Sequence, residues 1–289
     1  MTEIVADKLC KRISGREVLK DLSLSVERGV VYGLLGRNGA GKTTLIKHLL
    51  GLLRPDAGSA RVLGTEMFGA DASARQEIAY VSEGVLYPTW ARVGDVIDFE
   101  RTCRARFDGQ RLDAWLASQR IERGKKTSAL SKGEAKRLEL EIAFGAQPRV
   151  FLLDEPFSGF DPVSRSEAIE ALIEHVAGGT CAILSSHVLS DLERICERLG
   201  ILAHGRIVTE IALDDLKNGG AIVSAASLHQ LSNVNVLASR PTKGRVVAVV
   251  SGLIDDTQVR LLEADGATVQ RGALDELGVE LIRCVEDAR

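Results

Sequence analysis

The chain has 289 residues, which is enough length for one large domain and a small one. Its formal net charge is −3 at pH 7 and its pI is near 6.0. This charge balance disfavours a dedicated nucleic-acid binder, whose domain pI often exceeds about 9, so we expect no nucleic-acid partner. Five scattered cysteines without C-x-x-C spacing favour a reduced cytosolic compartment over a disulfide framework or a zinc site. No stretch approaches the ~20 apolar residues of a membrane-spanning helix, so we expect a cytoplasmic protein that reaches a membrane only through a partner.

Short apolar runs alternate with helical patterns up to about residue 212, which predicts an α/β fold with a mostly parallel central sheet. Several runs are apolar without alternation, as in strands covered on both faces. Candidate functional residues follow some of these strands, so function is expected at the carboxyl ends of the sheet. The predicted strands span residues 30–36, 77–83, 149–155, 180–187 and 199–205.

The segment GRNGAGKTT, residues 36–44, follows the first strand and precedes a helical pattern, as a phosphate-binding P-loop does. Gly36, Gly39 and Gly41 allow tight turns that bring backbone N–H groups onto a phosphate, and the helix start adds partial positive charge. Lys42 is expected to reach the β- and γ-phosphates and Thr43 to offer its hydroxyl to Mg²⁺. A purely structural glycine-rich turn is disfavoured because the Lys-Thr pair is in register. The predicted nucleotide contact includes the rest of the loop: Arg37, Asn38, Ala40 and Thr44.

Residues 84–129 interrupt the alternation with helical stretches at 93–107 and 108–120. With the helical pattern that follows, they predict a short inserted helical subdomain over about residues 84–146. Tyr87 and Trp90 either belong to its core or are exposed contact residues. A local excess of Arg and Lys over residues 101–126 indicates a solvated helical face, or a contact with acidic partner helices or lipid headgroups.

The segment RVFLLDEP, residues 149–156, ends an apolar strand with two adjacent carboxylates. Asp154 is expected to hold Mg²⁺, and Glu155 to polarise an attacking water. An Asp-Glu-Pro sequence also starts many surface turns, but the P-loop upstream favours the ligand interpretation. His187 ends the next apolar strand, where its ring could hydrogen-bond a γ-phosphate or orient Glu155.

From residue 213 to 289 the sequence predicts a small accessory α+β domain without a catalytic motif. It is either structural, a dimer stabiliser or a regulatory module. Residues 218–221, NGGA, are the predicted linker to the first domain, residues 1–212. The predicted strands lie at 221–227, 234–239, 245–250 and 267–271, and the helices at 256–265 and 273–283.

Six motifs occur in this order along the chain: GRNGAGKT, YVSE, LSKGE at 130–134, FLLDEP, SGFD at 158–161 and SSH. Together they resemble the nucleotide-binding subunit of ATP-binding-cassette (ABC) transporters over about residues 3–212. The resemblance rests on the order of the motifs, and a general P-loop NTPase would lack LSKGE and SGFD. It implies a P-loop α/β ATPase core with a short helical subdomain, and ATP hydrolysis with ATP and Mg²⁺ as cofactors.

The resemblance also implies that a second nucleotide-binding subunit, most simply a second copy, forms a head-to-tail dimer around two ATP molecules. Ser131 and Gly133 would then give a hydroxyl and backbone N–H groups to the nucleotide held by the P-loop of the other protomer. Ser158 and Asp161 would connect the two sites across the interface.

Four features depart from the common family pattern. Ile13 stands where an adenine-stacking aromatic is usual, which leaves the choice between adenine and guanine open. Glu83 replaces a glutamine and offers a carboxylate to Mg²⁺ or water. In the signature, Glu134 can still accept a hydrogen bond from ribose hydroxyls, and Lys132 is expected to add positive charge near the facing nucleotide and to offset Glu134. Phe160 replaces a leucine with little chemical consequence.

Glu83, the LSKG signature and the short subdomain resemble the ATPases of small ABC-2 type exporters, including antibiotic-responsive and bacitracin-type systems. In such systems the membrane-spanning permease is a separate chain. The leading hypothesis is an ATPase that powers such a permease at the inner face of the cell membrane through ATP-driven dimerisation. A soluble ABC ATPase acting on nucleic acid or ribosomes is the alternative, although such proteins usually carry paired cassettes or long coiled-coil insertions. A regulatory protein with inactive sites is disfavoured because the catalytic motifs are complete.

Overall fold

A six-stranded sheet carries the predicted motifs in the computed structural model, which describes residues 1–84, 87–104, 106–252 and 256–287. The strands lie in the order β10-β9-β3-β8-β7-β6, all parallel except β10, which is antiparallel to β9. The five predicted strands are therefore confirmed. Their bounds are β3 (Val31–Leu35), β6 (Ile78–Val81), β7 (Val150–Asp154), β8 (Cys181–Ser186) and β9 (Arg198–Ala203), and β10 is Arg206–Ala212.

An antiparallel sheet at the N-terminus covers one face of this central sheet and was not predicted. It has the order β2-β1-β4-β5 and shares one apolar cluster with α1 (Lys42–Leu49) and with Tyr32 and Leu34 of β3. Register shifts between β1 and β2 break the alternation by which a half-buried strand is recognised in a sequence. The strands are β1 (Thr2–Ile13), β2 (Arg16–Glu27), β4 (Ala57–Val62) and β5 (Thr65–Glu66), and α2 (Ala72–Arg75) precedes β6.

Helices cover the opposite face of the central sheet. Apolar residues of these helices form one cluster with Val31, Leu35, Leu153 and Leu184 of the sheet. Because both faces are covered, β3, β7 and β8 are buried along their whole length. The helices are α5 (Lys132–Gly145), α6 (Pro162–Val176), α7 (Leu189–Glu193), α8 (Leu213–Gly219) and α10 (Leu274–Asp287).

The predicted helical stretches form α3 (Val93–Cys103) and α4 (Gly109–Ser118), which share a small apolar cluster with α5. A short 3₁₀ turn, Thr127–Ala129, lies between α4 and α5. The stretch predicted as helix to residue 107 ends at Cys103, because Arg104 is extended. Ala105, and Val85 and Leu86 at the start of the predicted subdomain, lie outside the described residues. Tyr87 packs against the cluster, whereas Trp90 is 77% exposed. Tyr87 is therefore part of the subdomain core, and Trp90 is an exposed residue.

The basic residues of this region are largely paired within the chain. Their partners are acidic side chains of the same region or of the ATPase core, so the local positive excess is offset internally. This pairing favours the solvated helical face over an acidic or lipid partner. The pairs are Arg101 with Asp98 and Asp113, Arg104 with Glu100, Arg106 with Glu77, Arg111 with Glu141, Arg123 with Asp98 and Asp113, and Lys125 with Glu134.

The C-terminal segment contains the predicted strands and helices. They form an antiparallel sheet of order β12-β13-β11-β14 with two helices, and a 3₁₀ turn spans Leu228–Leu231. The bounds are β11 (Ala221–Ala225), β12 (Asn235–Thr242), β13 (Arg245–Ser251), β14 (Thr268–Gln270) and α9 (Asp256–Ala264), with α10 as given above.

None of the helices among the described residues has the length and apolar character that a bilayer crossing requires.

The predicted linker at residues 218–221 is wrong. Gly219 ends α8, Ala221 begins β11, and both are buried. A Cβ on Gly220 would lie 2.4 Å from the carbonyl oxygen of Leu216 and 2.7 Å from Leu277 of α10. The glycines therefore allow close packing between α8 and α10, and they do not mark a flexible connection.

Candidate active site

The phosphate loop connects β3 to α1 at the carboxyl end of the central sheet. Gly39 and Gly41 have φ values of 85° and 116°, in the left-handed region that glycine adopts without steric cost. A Cβ on Gly36 would lie 2.5 Å from the carbonyl oxygen of Leu202, so only glycine fits there. Within the described part of the chain no side chain caps the N-terminus of α1, which leaves its first N–H groups to an anion.

Lys42 is buried within the loop. Its Nζ donates to the carbonyl oxygens of Gly36 at 2.6 Å and Arg37 at 3.4 Å, and it lies 3.1 Å from Glu155 Oε1. An anionic phosphate is a stronger acceptor for an ammonium group than a neutral carbonyl is. The lysine is thus positioned to exchange its contacts within the loop for a phosphate oxygen.

Asp154, at the end of β7, lies between two hydroxyl groups. Thr43 Oγ1 donates to Asp154 Oδ2 at 2.6 Å, and Ser185 Oγ donates to Asp154 Oδ1 at 2.7 Å. A buried carboxylate next to a threonine hydroxyl supplies the oxygen ligands that Mg²⁺ prefers, with further positions left for nucleotide oxygens and water. The exposed Glu83, which follows β6, lines the same cavity.

Glu155 combines a strained backbone with a buried carboxylate. Its φ is 47°, a conformation that costs a non-glycine residue roughly 1–3 kcal/mol, and its N–H donates to Ser185 Oγ at 3.0 Å. His187 Nδ1 lies 2.9 Å from Glu155 Oε2, and because a carboxylate only accepts hydrogen bonds, this nitrogen is the protonated one. Glu155 Oε1 is close to Lys42 but has no hydrogen-bond donor among the described residues. This buried oxygen therefore keeps an unused hydrogen-bond acceptor position.

The predicted residues around the phosphates thus converge on one cavity of about 350 Å³. Its lining includes Arg37, Asn38, Gly39, Gly41, Lys42, Thr43, Thr44, Glu83, Asp154 and Glu155. Ala40 lines an adjoining cavity with Asn38 and Gly39. Ile13 lies exposed at the end of β1 and is not among the lining residues, whereas Val18 of β2 is. Sequence position alone did not indicate Val18.

A network behind His187 was not predicted from the sequence. Ser186 Oγ donates to Asp191 Oδ2 at 3.0 Å and accepts from the N–H of Val188 at 3.0 Å. Arg165 of α6 lies 3.1 Å from Asp191 Oδ1. Burial raises the pKa of Asp191, while Arg165 and the Ser186 hydroxyl oppose this shift. The network connects the chain around His187 with α6.

The LSKGE segment starts α5, as predicted. Ser131 is its N-cap: the N–H of Glu134 donates to Ser131 Oγ at 3.1 Å, and the N–H of Ser131 donates to Glu134 Oε2 at 2.7 Å. Lys125 donates to the other carboxylate oxygen of Glu134 at 3.0 Å. The Ser131 N–H and then Lys125 lower the pKa of Glu134. Within the single chain Glu134 is therefore paired with Lys125, and the expected role of Lys132 near the facing nucleotide stays a prediction.

The SGFD segment leads into α6. Asp161 is the N-cap of this helix and accepts from the N–H groups of Val163 at 3.0 Å and Ser164 at 3.1 Å. Hydrogen bonds from Ser164, above all from its hydroxyl, lower the pKa of Asp161. Ser158, Gly159, Ser131 and Lys132 line a second cavity of about 820 Å³, which Glu83 also lines. Glu83 therefore borders both the phosphate cavity and the signature surface.

The C-terminal segment reaches the phosphate loop. Arg37 pairs with Glu286 of α10 at 2.6 Å, and His204 Nε2 lies 3.3 Å from the carbonyl oxygen of Glu286. This contact places the last turn of α10 next to the loop.

Known proteins with similar sequences and structures are ATP-binding subunits of ABC transporters. The family model described as "ABC transporter" matches residues 19–158. The daunorubicin resistance ATP-binding protein DrrA3 of Streptomyces coeruleorubidus is 32% identical over 97% of this chain and 96% of its own length. The ABC transporter ATP-binding protein YtrB of Bacillus subtilis is 34% identical over 73% of this chain and 72% of its own. A solved structure of an ATP-binding subunit of an ABC transporter superposes with a TM-score of 0.68 at 29% identity, covering 74% of this chain and 92% of that one.

The similarity to DrrA3 extends beyond the ATPase core into the C-terminal segment, since it covers nearly all of both chains. The chain belongs to the ATP-binding proteins of ABC transporters and is an ATPase.

Proposed function

We propose that this ATPase powers a separate membrane-spanning exporter through ATP-driven, head-to-tail dimerisation of two copies of the chain. Gly133 carries this proposal. A Cβ at this position would meet no atom within 4 Å, so the fold of the single chain does not require glycine there. Glycine in a helix costs up to about 1 kcal/mol relative to alanine. Glycine at this position lets a nucleotide held by a second protomer approach the helix backbone closely, which explains why glycine is present despite the cost.

The dimer would complete two nucleotide sites. In one protomer, residues 36–44 hold the phosphates, with Lys42 on the β- and γ-phosphates. Thr43, Asp154 and Glu83 hold Mg²⁺, which neutralises charge on the phosphates. Glu155 orients the attacking water, and His187 positions Glu155. Val18, which lines the cavity, covers the base together with Ile13 at the exposed end of β1. The other protomer contributes Ser131, Lys132, Gly133, Glu134 and Asp161.

Gly133→Ala is expected to prevent ATP-driven dimerisation without unfolding the chain. The added methyl group has open space within the protomer but would occupy the approach to the facing phosphate. Light scattering of the protein with Mg²⁺-ATP measures the dimer, and the thermal unfolding midpoint serves as the control. A Gly133→Ala variant that dimerises as the natural chain does would contradict the proposal.

Export is the direction supported by the near full-length similarity to an ATP-binding protein named for daunorubicin resistance. A permease needs a docking surface, and the helical subdomain exposes two large aromatic side chains. Trp90 is 77% exposed and Phe99 is 66% exposed. Aromatic side chains are enriched in contact sites between proteins.

Trp90→Ser and Phe99→Ser are expected to reduce recovery of an integral membrane protein with the tagged ATPase in mild detergent. ATP hydrolysis by the isolated variants should stay close to that of the natural chain, because neither residue lines the phosphate cavity. Phe68→Ser is the matched control, since Phe68 is 44% exposed outside the helical subdomain. Recovery of no membrane protein with the natural chain would overturn the exporter assignment.

A further inference from the structure

Two polar side chains of α5 hold the backbone at the end of β6. Lys136 is 2% exposed, and its Nζ donates to the carbonyl oxygen of Ser82. Glu139 Oε1 accepts from the N–H of Ser82 at 2.9 Å. The Ser82 hydroxyl lies 2.8 Å from the same oxygen and also within hydrogen-bond distance of the carbonyl oxygen of Gly84. The other oxygen of Glu139 lies 3.4 Å from Lys136 Nζ. The backbone N–H and the backbone carbonyl of Ser82 are both held by this pair.

Stability alone does not account for the buried Lys136–Glu139 pair. The free energy needed to remove two charged groups from water offsets much of their mutual attraction, and apolar residues at such positions often give a protein of equal stability. Burial lowers the pKa of Lys136, whereas Glu139, Asp154 and Glu83 act in the opposite direction. The ammonium group is thus within electrostatic range of Asp154 and Glu83, two of the three carboxylates that line the phosphate cavity. Its fixed contact is with Ser82, the residue directly before Glu83.

We propose that Lys136 is a positioning residue for Glu83. Together with Glu139 it fixes the backbone at Ser82. The backbone of the next residue, Glu83, is thereby held in one position relative to the phosphate cavity, which the Glu83 side chain lines. The same helix begins directly after its N-cap Ser131, in the signature segment. A shift of α5 on contact with the nucleotide of the second protomer would therefore move Glu83 in the protomer's own cavity. This inference rests on the proposed role of Glu83 at the Mg²⁺-ATP site.

The first test is steady-state ATP hydrolysis by Lys136→Met, which removes the donor and keeps a long apolar side chain. Loss of a residue that orients a metal ligand typically lowers metal affinity or activity about 10–100-fold. We expect a fall in kcat of about that size and a higher Mg²⁺ requirement, with little change in KM for ATP. Lys217→Met is the matched control, because Lys217 Nζ also donates to a backbone carbonyl, that of Glu193, at 2.6 Å. An unchanged kcat and Mg²⁺ requirement in Lys136→Met would overturn the proposal.

A double-mutant cycle separates positioning from a general loss of structure. If Lys136 acts through Glu83, the Lys136→Met change has little further effect in a Glu83→Ala protein. An equal loss in both backgrounds would overturn the proposal. Hydrogen exchange of the nucleotide-free chain gives a second measurement, and we expect faster exchange at residues 82–84 in Lys136→Met. Unchanged exchange there would also overturn it. Failure of the natural chain to dimerise or to bind a permease would contradict the proposed function, and it would leave the positioning role of Lys136 to be decided by the measurements above.

Discussion

Glu155→Gln is expected to lower ATP hydrolysis by about 10²–10⁴-fold, the usual contribution of a positioned general base. The amide keeps the shape of the side chain and can still accept the hydrogen bond from His187 Nδ1. It cannot take a proton from water, and Glu155 Oε1 is the oxygen without a hydrogen-bond donor among the described residues. Phosphate release measures the effect, and binding of a fluorescent ATP analogue should persist.

Binding is expected to persist in this variant because the carboxylate of Glu155 competes with phosphate for Lys42, 3.1 Å away. Neutralising the carboxylate leaves the ammonium group free for the nucleotide. Glu167→Gln, on the outer part of α6, is a control that should hydrolyse ATP normally. Hydrolysis within about threefold of the natural rate in Glu155→Gln would assign the water-orienting role to another residue.

Leu281→Ala is expected to lower the free energy of unfolding of the whole chain by about 2–5 kcal/mol, the usual cost of truncating a buried leucine. Leu281 of α10 is fully buried in the cluster that also contains Leu189 and Leu192 of α7 and residues of the central sheet. Because one apolar cluster includes both parts of the chain, we expect a single unfolding transition for residues 1–212 and 213–289. Denaturant unfolding followed by two probes measures this.

Val279→Ala is the matched control on the same helix, because half of Val279 is exposed. Surface substitutions usually change stability by less than about 0.5 kcal/mol. Two separate transitions, with only the later part of the chain affected by Leu281→Ala, would show that residues 213–289 fold as an independent domain.

Local signals predicted much of the site. The P-loop and the Asp154–Glu155 pair could be identified because each follows an apolar strand directly, and parallel strands bring their carboxyl ends to one edge of the sheet. The capping box of Ser131 and Glu134 was also implicit in a serine followed three residues later by a glutamate.

Contacts between residues distant in sequence could not be predicted in this way. Ser82 and Glu139 are 57 positions apart, and nothing near either residue indicates the other. Lys136 reads as a polar position of an amphipathic helix, and only the packing of α5 beneath β6 shows that it is buried. The two glycines near residue 220 were misassigned for a related reason, since close packing and flexibility both favour glycine.

The position of β3 has a consequence for how the chain is made. β3 lies between β8 and β9 in the central sheet, and both neighbours come from residues 181–203. During synthesis the strand that leads to the phosphate loop therefore has two unpaired edges until most of the ATPase core has been translated. Such long-range pairing slows folding and leaves nascent strands open to aggregation. Nucleotide binding is thus a capacity that the growing chain acquires late, although its most recognisable motif is among the first segments to be translated.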